Sequence, residues 1–558
     1  MSVLLEHHLL CRVDRADGEP RLRLLETIRE YGLECLAESG ELEATQAAHA
    51  RYYLALAEEA DPQLRGAEQD RWVAHLELEQ ENLRAALGYL LEQAHTQAGT
   101  QQGLIQAEWA LRLCIALTWF WDIHRYGWDG YSTLMQVLSE HASVDAALRA
   151  RALYTASRQA FLHARQAPLE RLAQESLVLY QELGDPMGIA TCLCQLGSVA
   201  RTRSQFVLAQ TYLEEATAVF QELGDRWGQG QCSAERARAA IEQGQYAQAS
   251  ALLEQSLLLY QELGDPPHLG WVRYLQARLH FVQHEDQARA LQLVEQSLTH
   301  IRDMSYGRGA PLGLLGLIHV EQGELEAARP LLEGCLRIAR QARAETVAVQ
   351  VGIGLARLLA SQGETAAARN VYWEGLTQLL ECNVYQEDIA ASLEGLAALE
   401  AGEGAPCQAA WLWGAAEALR ESIGAPIYPV HRASYEHAIT LARTQCGEHA
   451  FAVAWEEGRS MTVEHALALA TQGTVTHEDA PLPASAAAHP FSPASAELTR
   501  REREVLHWLA AGLTSKEIAQ HLVVSLPTVN THVASIFNKL GVTSRSAATR
   551  YAVEHHLV

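Results

Sequence analysis

Gln181-Glu182-Leu183-Gly184-Asp185 returns as Gln221-Glu222-Leu223-Gly224-Asp225 and again as Gln261-Glu262-Leu263-Gly264-Asp265, forty residues apart each time. A Leu- or Phe/Tyr-rich run precedes every copy: Leu177–Tyr180, Ala218–Phe220 and Leu257–Tyr260. The spacing continues less strictly at Leu298, Leu336 and Leu376. A second marker is a Gln-Gly turn, at Gln243-Gly244-Gln245-Tyr246, Gln322-Gly323-Glu324-Leu325 and Gln362-Gly363-Glu364-Thr365. Ala247, Ala249, Ala327, Ala328, Ala366 and Ala368 follow it as the small residues expected where helices approach closely. Leu-Gly-Asp reads as a helix stopped by a glycine and restarted beyond an aspartate cap, so these aspartates are assigned to capping rather than to metal or catalysis. One helix pair cannot bury its own apolar face, and pairs recurring at roughly 34 to 40 residues stack into a superhelix.

The C-terminal stretch Glu497–Val558 has a different pattern, four short helical segments each with a cap before it. Thr499 with Glu502 and Thr514 with Glu517 form capping boxes, in which the hydroxyl accepts an amide proton and the glutamate reaches back to the cap amide. The third segment starts at Ser525 and puts Val529, Val533, Ile536, Phe537 and Leu540 on one stripe. Asn530, Thr531, Ala534, Ser535 and Asn538 fall on its other faces. A compact helical unit with a short turn before its third helix is the layout that lays a helix in a DNA major groove. The alternative is a small helical protein-binding or oligomerisation domain. Charge is divided accordingly: the chain holds 43 basic and 68 acidic residues, of which only seven basic and four acidic ones lie in residues 498–558. DNA therefore attracts the small part and repels the large one.

This segment resembles the LuxR-type (NarL/FixJ-type) helix-turn-helix domain of bacterial transcription regulators. The likeness rests on Leu498-Thr499-x-Arg501-Glu502-x-Glu504-Val505-Leu506, Gly512-Leu513-Thr514-x-Lys516-Glu517-Ile518-Ala519, Ser525-x-x-Thr528-Val529-x-x-His532, Lys539-Leu540-Gly541-Val542 and Ser544-Arg545. It implies sequence-specific, usually dimeric binding of double-stranded promoter DNA at an imperfect palindrome. The family commonly carries basic residues where this chain has Asn530 and Ala534. Asparagine can still pair with adenine, and alanine or threonine can meet a thymine methyl, but two charged contacts are gone. Candidate DNA-binding residues are Lys516, Ser525, Thr528, Asn530, Thr531, His532, Ala534, Ser535, Lys539 and Arg545. His532 reads equally as a hydrogen-bonding residue within its own helix. The expected consequence is weaker, less salt-steep binding, or dependence on dimerisation, with Ala547, Ala548 and Tyr551 of the fourth segment as the dimer patch.

The forty-residue array resembles tetratricopeptide repeats with lengthened connections. Leu24-Leu25-Glu26-Thr27-Ile28-Arg29-Glu30-Tyr31, read as a helix after the polar hairpin-like break Arg12–Pro20, resembles the junction from winged helix to repeats in large LuxR-type regulators that begin with a STAND ATPase. Trp411-x-Trp413-Gly414-Ala415-Ala416-Glu417-Ala418-Leu419-Arg420 and Ala452-x-x-Trp455-x-Glu457-Gly458-Arg459 resemble their last repeat-side bundle. The ATPase of that group has no counterpart here, because no Gly-x-x-x-x-Gly-Lys-Ser/Thr offers a phosphate cradle. A shortened paralogue and a reading frame split from its ATPase half are both compatible with this, and a separate ATPase becomes a candidate partner.

The expected fold is all-α, a tetratricopeptide-like superhelix followed by a four-helix DNA-binding domain. The divisions are a winged-helix remnant with junction helices (1–60), a helical bundle (61–145), repeats with a terminal bundle (146–465), a flexible Pro/Ala/Ser-rich linker (466–496) and the DNA-binding domain (497–558). The tryptophans around Trp119, Trp121 and Trp128 read as core anchors rather than a nucleobase platform, since no basic groove accompanies them. Ten cysteines without paired spacing beyond Cys192-x-Cys194 fit a reducing cytosol. No stretch is apolar for the about eighteen residues a membrane span needs. No catalytic motif, metal cluster or cofactor site is found. The expected protein is thus a cytoplasmic, non-enzymatic transcription regulator, its repeats a sensor or docking platform for a protein, peptide or small-molecule effector. The competing reading is an interaction scaffold whose DNA binding has weakened.

Overall fold

The structure, a computed structural model, describes residues 10–13, 21–24, 26–124, 130–162, 166–301, 308–341, 345–382, 384–463, 465–467 and 500–510, with Ile518, Val533, Ile536, Lys539 and Ala552. The chain forms two compact units, Met1–Thr476 and His477–Val558. The described fold is α-helical apart from one two-stranded ribbon, β1 (Leu10–Val13) antiparallel to β2 (Arg21–Leu24), with Leu10 opposite Leu24 and Val13 opposite Arg21. Arg12 and Val13, read as the start of a polar break, belong to the first strand, and residues 14–20 lie outside the described residues. Leu24, expected in a helix, belongs to the second strand.

An N-terminal bundle follows: α1 (Glu26–Ser39), α2 (Leu42–Ala60), a 3-10 turn (Asp61–Leu64), α3 (Gln69–Leu78), α4 (Gln80–Thr96), α5 (Gln101–Ala116), α6 (Thr118–His124) and α7 (Gly130–Glu140). Leu54, Leu76, Leu90, Leu111 and Phe120 form part of its core. The pairs of the array are α8 (Ala146–Leu162) with α9 (Gln166–Leu183), α10 (Pro186–Thr202) with α11 (Phe206–Glu222), α12 (Arg226–Glu242) with α13 (Tyr246–Leu263), and α14 (Pro266–Gln283) with α15 (Gln287–His300). Then come α16 (Gly309–Glu321) with α17 (Leu325–Gln341), α18 (Glu345–Ser361) with α19 (Thr365–Cys382), and α20 (Gln386–Gly402) with α21 (Pro406–Ile423). Two further helices, α22 (Pro429–Cys446) and α23 (Glu448–Arg459), close the unit, and Ala466 and Leu467 are still buried against it.

The repeated pentapeptide does what its chemistry requires. Gly184, Gly224 and Gly264 take left-handed φ of +66°, +69° and +62°. The following aspartate amides donate back to Tyr180, Phe220 and Tyr260 carbonyls at 3.0, 2.9 and 3.1 Å, the bonding of a glycine-terminated helix. Each aspartate carboxylate then accepts amide protons of the next helix: Asp185 from Met187 and Gly188, Asp225 from Trp227, and Asp265 from His268. The alanine expectation holds for half its members. Ala249, Ala328 and Ala368 are fully buried, whereas Ala247, Ala327 and Ala366 are exposed. The former stand on the partner-facing stripe of their helices; the latter have rotated away from it. Buried serines add a link that recurs: Ser176, Ser256 and Ser297 donate to the carbonyls of Ala150, Gly230 and Gly270 at 2.8, 2.8 and 2.7 Å, tying the two helices of a pair.

Cysteine chemistry departs from expectation. Cys407, at the start of α21, and Cys446, the last residue of α22, form a disulfide with Cα atoms 5.9 Å apart. Their separation of 39 residues hides the pair from spacing rules. Closing a loop of that length stabilises the folded state by about 4 kcal/mol in the chain-entropy account. Thiol titration of denatured protein should find two more thiols after reduction, and reduction should lower the melting point of the terminal bundle. Equal thiol counts would remove the bond.

Candidate functional site

Helix α24 (Arg500–Ala510) starts directly after Thr499, the residue assigned as its cap, and buries Val505 and Leu506. Ile518, Ile536 and Ala552 are helical and buried, so each of the four helical patterns holds a buried apolar residue. Val533, one turn before Ile536, is half-buried on the same stripe, in agreement with the sequence pattern. Of the candidate DNA contacts, Lys539 is described: it is helical and half-buried, three residues beyond Ile536. Lys516, Ser525, Thr528, Asn530, Thr531, His532, Ala534, Ser535 and Arg545 lie outside the described residues, as do the dimer candidates Ala547, Ala548 and Tyr551.

The second candidate lies inside the repeat unit. First helices of successive pairs, α14, α16, α18 and α20, line a cavity of about 120 Å³. Leu314, Leu317, Val347 and Val351 give it an apolar wall. Ile427 and Tyr428, in the connection between α21 and α22, and His431 of α22 also line it. That connection is seated by Pro426, which packs so closely on Gly244 that a Cβ there would come within 2.8 Å of its ring. Tyr428 accepts a hydrogen bond from Arg278 at 3.3 Å. A glycine read from sequence as a turn former thus also makes room for a distant segment.

Charge in the cavity is unevenly matched. Arg420 forks onto Glu394 and also reaches the Ala425 and Pro426 carbonyls. Arg357 donates to the His431 ring. Burial, together with Arg357 and Arg420, pushes that imidazole well below its ordinary range, so it is neutral. Glu387 and Asp388, adjacent in the first turn of α20, have no salt-bridge partner among the described residues. Gln350 donates to Asp388 at 3.2 Å, and the Tyr428 side chain lies beside Glu387. Burial, with repulsion from Glu242, lifts Glu387 to about 7 against the attraction of Arg278. Burial lifts Asp388 to about 6, again with Arg278 opposing.

A charge network continues from the cavity into the earlier repeats. The Arg201 side chain is fully buried and donates to Glu235 at 3.1 Å and Glu242 at 2.7 Å. Burial disfavours its charge, but Glu242 and Glu235 outweigh that and keep it protonated. Burial would likewise raise Glu235, yet Arg238 and Arg201 hold it down to about 2. The amide of Tyr385, held at φ +51°, donates to the Thr202 carbonyl at 2.6 Å, joining the start of α20 to the end of α10.

Comparison with known proteins decides the role of the C-terminal unit. Residues 496–552 match the luxR family of bacterial regulatory proteins, and residues 231–303 match a tetratricopeptide repeat family. The chain is a DNA-binding regulator built from a luxR-type domain and tetratricopeptide-like repeats. Putative HTH-type transcriptional regulators of Mycobacterium tuberculosis and Mycobacterium bovis are 27% identical to it over 98% of its length and 68% of theirs. The transcriptional regulatory protein LiaR of Bacillus subtilis is 46% identical over 61 residues, 11% of this chain and 29% of that protein. Among solved structures, a Rap protein complexed with competence and sporulation factor aligns with a TM-score of 0.48 at 12% identity, over 68% of this chain and 99% of that one. A STAND protein with a tetratricopeptide repeat sensor from Pyrococcus horikoshii aligns with a TM-score of 0.35 at 14% identity, over 68% of this chain and 58% of that one.

Two features of the regulator escaped sequence reasoning. The cavity draws on residues from Tyr274 to His431, which no local pattern connects. The other is the charged setting of Trp119, which packs on the bundle core as read. Phe120 and Trp121 are core residues, but Trp119 is half-buried, with the Arg158 guanidinium 3.8 Å and the Arg65 guanidinium 5.0 Å from its ring centroid. Trp227 stands edge-on to it at 5.9 Å. Basic side chains do accompany this ring; they arrive from segments far away in sequence. Trp128 lies outside the described residues. Among the described residues no group of three or more His, Cys, Asp or Glu is placed to hold a metal ion, and no helix is long and apolar enough to cross a membrane.

Proposed function

We propose that this regulator binds promoter DNA as a homodimer through its third C-terminal helix, and that an effector seated in the repeat cavity sets the affinity. Asn530, Thr531 and Ala534 read bases, and Lys516, Ser525, Thr528, His532, Ser535, Lys539 and Arg545 hold the backbone. The observation carrying the first half is the luxR-family match across residues 496–552. The sensor half is supported by a cavity enclosed partly by the connection into α22, so that what occupies it bears on the end of the repeat unit from which the chain leads to the DNA-binding unit.

Selection of bound duplexes from a random pool, with the full chain at fixed salt, tests this reading. Recovery of a palindrome with two chains per duplex is the expected result; one chain per duplex would remove the dimer, and no enriched sequence would favour an interaction scaffold. Lys539→Ala and Arg545→Ala should each weaken binding by about threefold to tenfold across all sequences and flatten the salt dependence by about one unit of log–log slope. Asn530→Ala should instead relax preference at one position by about 1–3 kcal/mol. Titrations against selected and scrambled duplexes separate the two behaviours.

A further inference from the structure

We propose that the repeat cavity binds a small primary amine with an apolar body, its ammonium held between Glu387 and Asp388 and its carbon chain lying on the wall formed by Leu314, Leu317, Val347 and Val351. This names the effector class for the sensor reading above and rests on that reading only for its effect on DNA. The cavity has room for about eight to ten water-sized groups, which suits a short chain rather than a folded partner. Its cationic lining is already engaged: Arg420 by Glu394, Arg357 by the neutral His431 ring, and Arg278 by Tyr428 and, at 3.9 Å, by Glu242. Of its carboxylates at the start of α20, Asp388 accepts from the Gln350 amide, and neither acid has a salt bridge among the described residues, Arg278 attracting both only from longer range. Acidic residues in a helix's first turn are ordinary at a solvated surface, where the helix dipole suffices to explain them. Here they face a cavity with an apolar wall, beside a third carboxylate, Glu242, and the unmet demand is for positive charge.

An ammonium there would do two things. It would favour the ionised forms of Glu387 and Asp388, which otherwise retain protons because burial and mutual repulsion oppose ionisation. It would also bring a positive charge next to Tyr428 of the connection into α22, which lines the same cavity. The groups facing this pair are Glu242, Arg278, Gln350, Tyr428 and Arg420.

Hexylamine, hexanol and hexanoate, titrated calorimetrically into the full chain at about pH 6.5 in two buffers of different ionisation heat, test the proposal. Hexylamine should bind at least about tenfold tighter than either analogue and release protons into the buffer. Glu387→Gln and Asp388→Asn should each weaken hexylamine by about tenfold or more and reduce that release. Val351→Phe, which fills the wall without touching the acids, should weaken the amine with the protein still folded by circular dichroism. Equal binding of amine and alcohol, preference for hexanoate, no hexylamine binding, or unchanged binding in the acid variants would each overturn it. DNA affinity measured with and without hexylamine is a separate readout. Amine binding without any change in DNA affinity leaves this site standing and removes the sensor role.

Discussion

Arg201→Met should cost the repeat array about 3–5 kcal/mol of local stability, because it leaves Glu235 and Glu242 facing a buried space with their shared counter-ion gone. The loss comes from stranding charge rather than from losing two contacts. The companion variant Arg201→Met/Glu242→Gln should therefore recover much of it, since Glu235 keeps Arg238 at 2.8 Å. A chain of 558 residues with a stacked array does not unfold in one step, so hydrogen exchange resolved over α10 to α13 is the proper measurement. Protection in those helices should fall while α21 and α23 keep theirs; an unchanged pattern would mean that water reaches the site. The same network sets an acid limit. Glu235 has a folded value of about 2, below that of an unfolded glutamate at about 4.3, so its contribution is complete above that upper value and fades as pH falls toward the lower one. Arg201→Met should weaken this acid sensitivity as well as lower stability at neutral pH.

The second large effect belongs to the crossing of α21 and α23. A Cβ on Gly414 would lie 2.2 Å from the Trp455 carbonyl oxygen, and one on Gly458 would lie 2.2 Å from that of Trp411. Backbone meets backbone at both points, so no rotamer change relieves the clash and the helices must separate. Separation would pull apart the hydrogen bonds of Trp411 to Glu457 at 2.9 Å and Trp455 to Glu417 at 2.7 Å, and would uncover the fully buried Trp413. Gly414→Ala or Gly458→Ala should each destabilise the bundle by about 1–3 kcal/mol, with valine at either site costing more. Gly88→Ala is the control: it sits inside α4 with no atom within 4 Å of the added methyl, and should stabilise by about 0.5–1 kcal/mol. Thermal denaturation followed by tryptophan fluorescence compares the three. A Gly458→Ala protein melting like the parent would show that the crossing is looser than drawn.

Much of this regulator was legible in its residues because the devices are local. Gly184, Gly224 and Gly264 stop helices, and the aspartates after them start the next ones, through atoms within a few residues of each other. The DNA-binding domain was legible for the same reason, as capping boxes and an apolar stripe crowd into one short segment, where Val533 and Ile536 take the expected face. The exposed Ala247, Ala327 and Ala366 mark where such reading fails: a small residue near a turn signals close approach only once the helix phase is known.

The repeat period, the caps and the class of the DNA-binding unit were thus determined by the sequence itself, through short-range geometry and patterning. Tertiary structure alone decided that Arg201 would find Glu235 and Glu242, that Cys407 would meet Cys446, that Pro426 would seat on Gly244, and that Glu387 and Asp388 would face a cavity rather than solvent. Those contacts depend on the small rotation added at every helix pair. Summed over the array, that rotation brings Tyr385 to Thr202 and Tyr428 to Arg278, a placement no single repeat encodes.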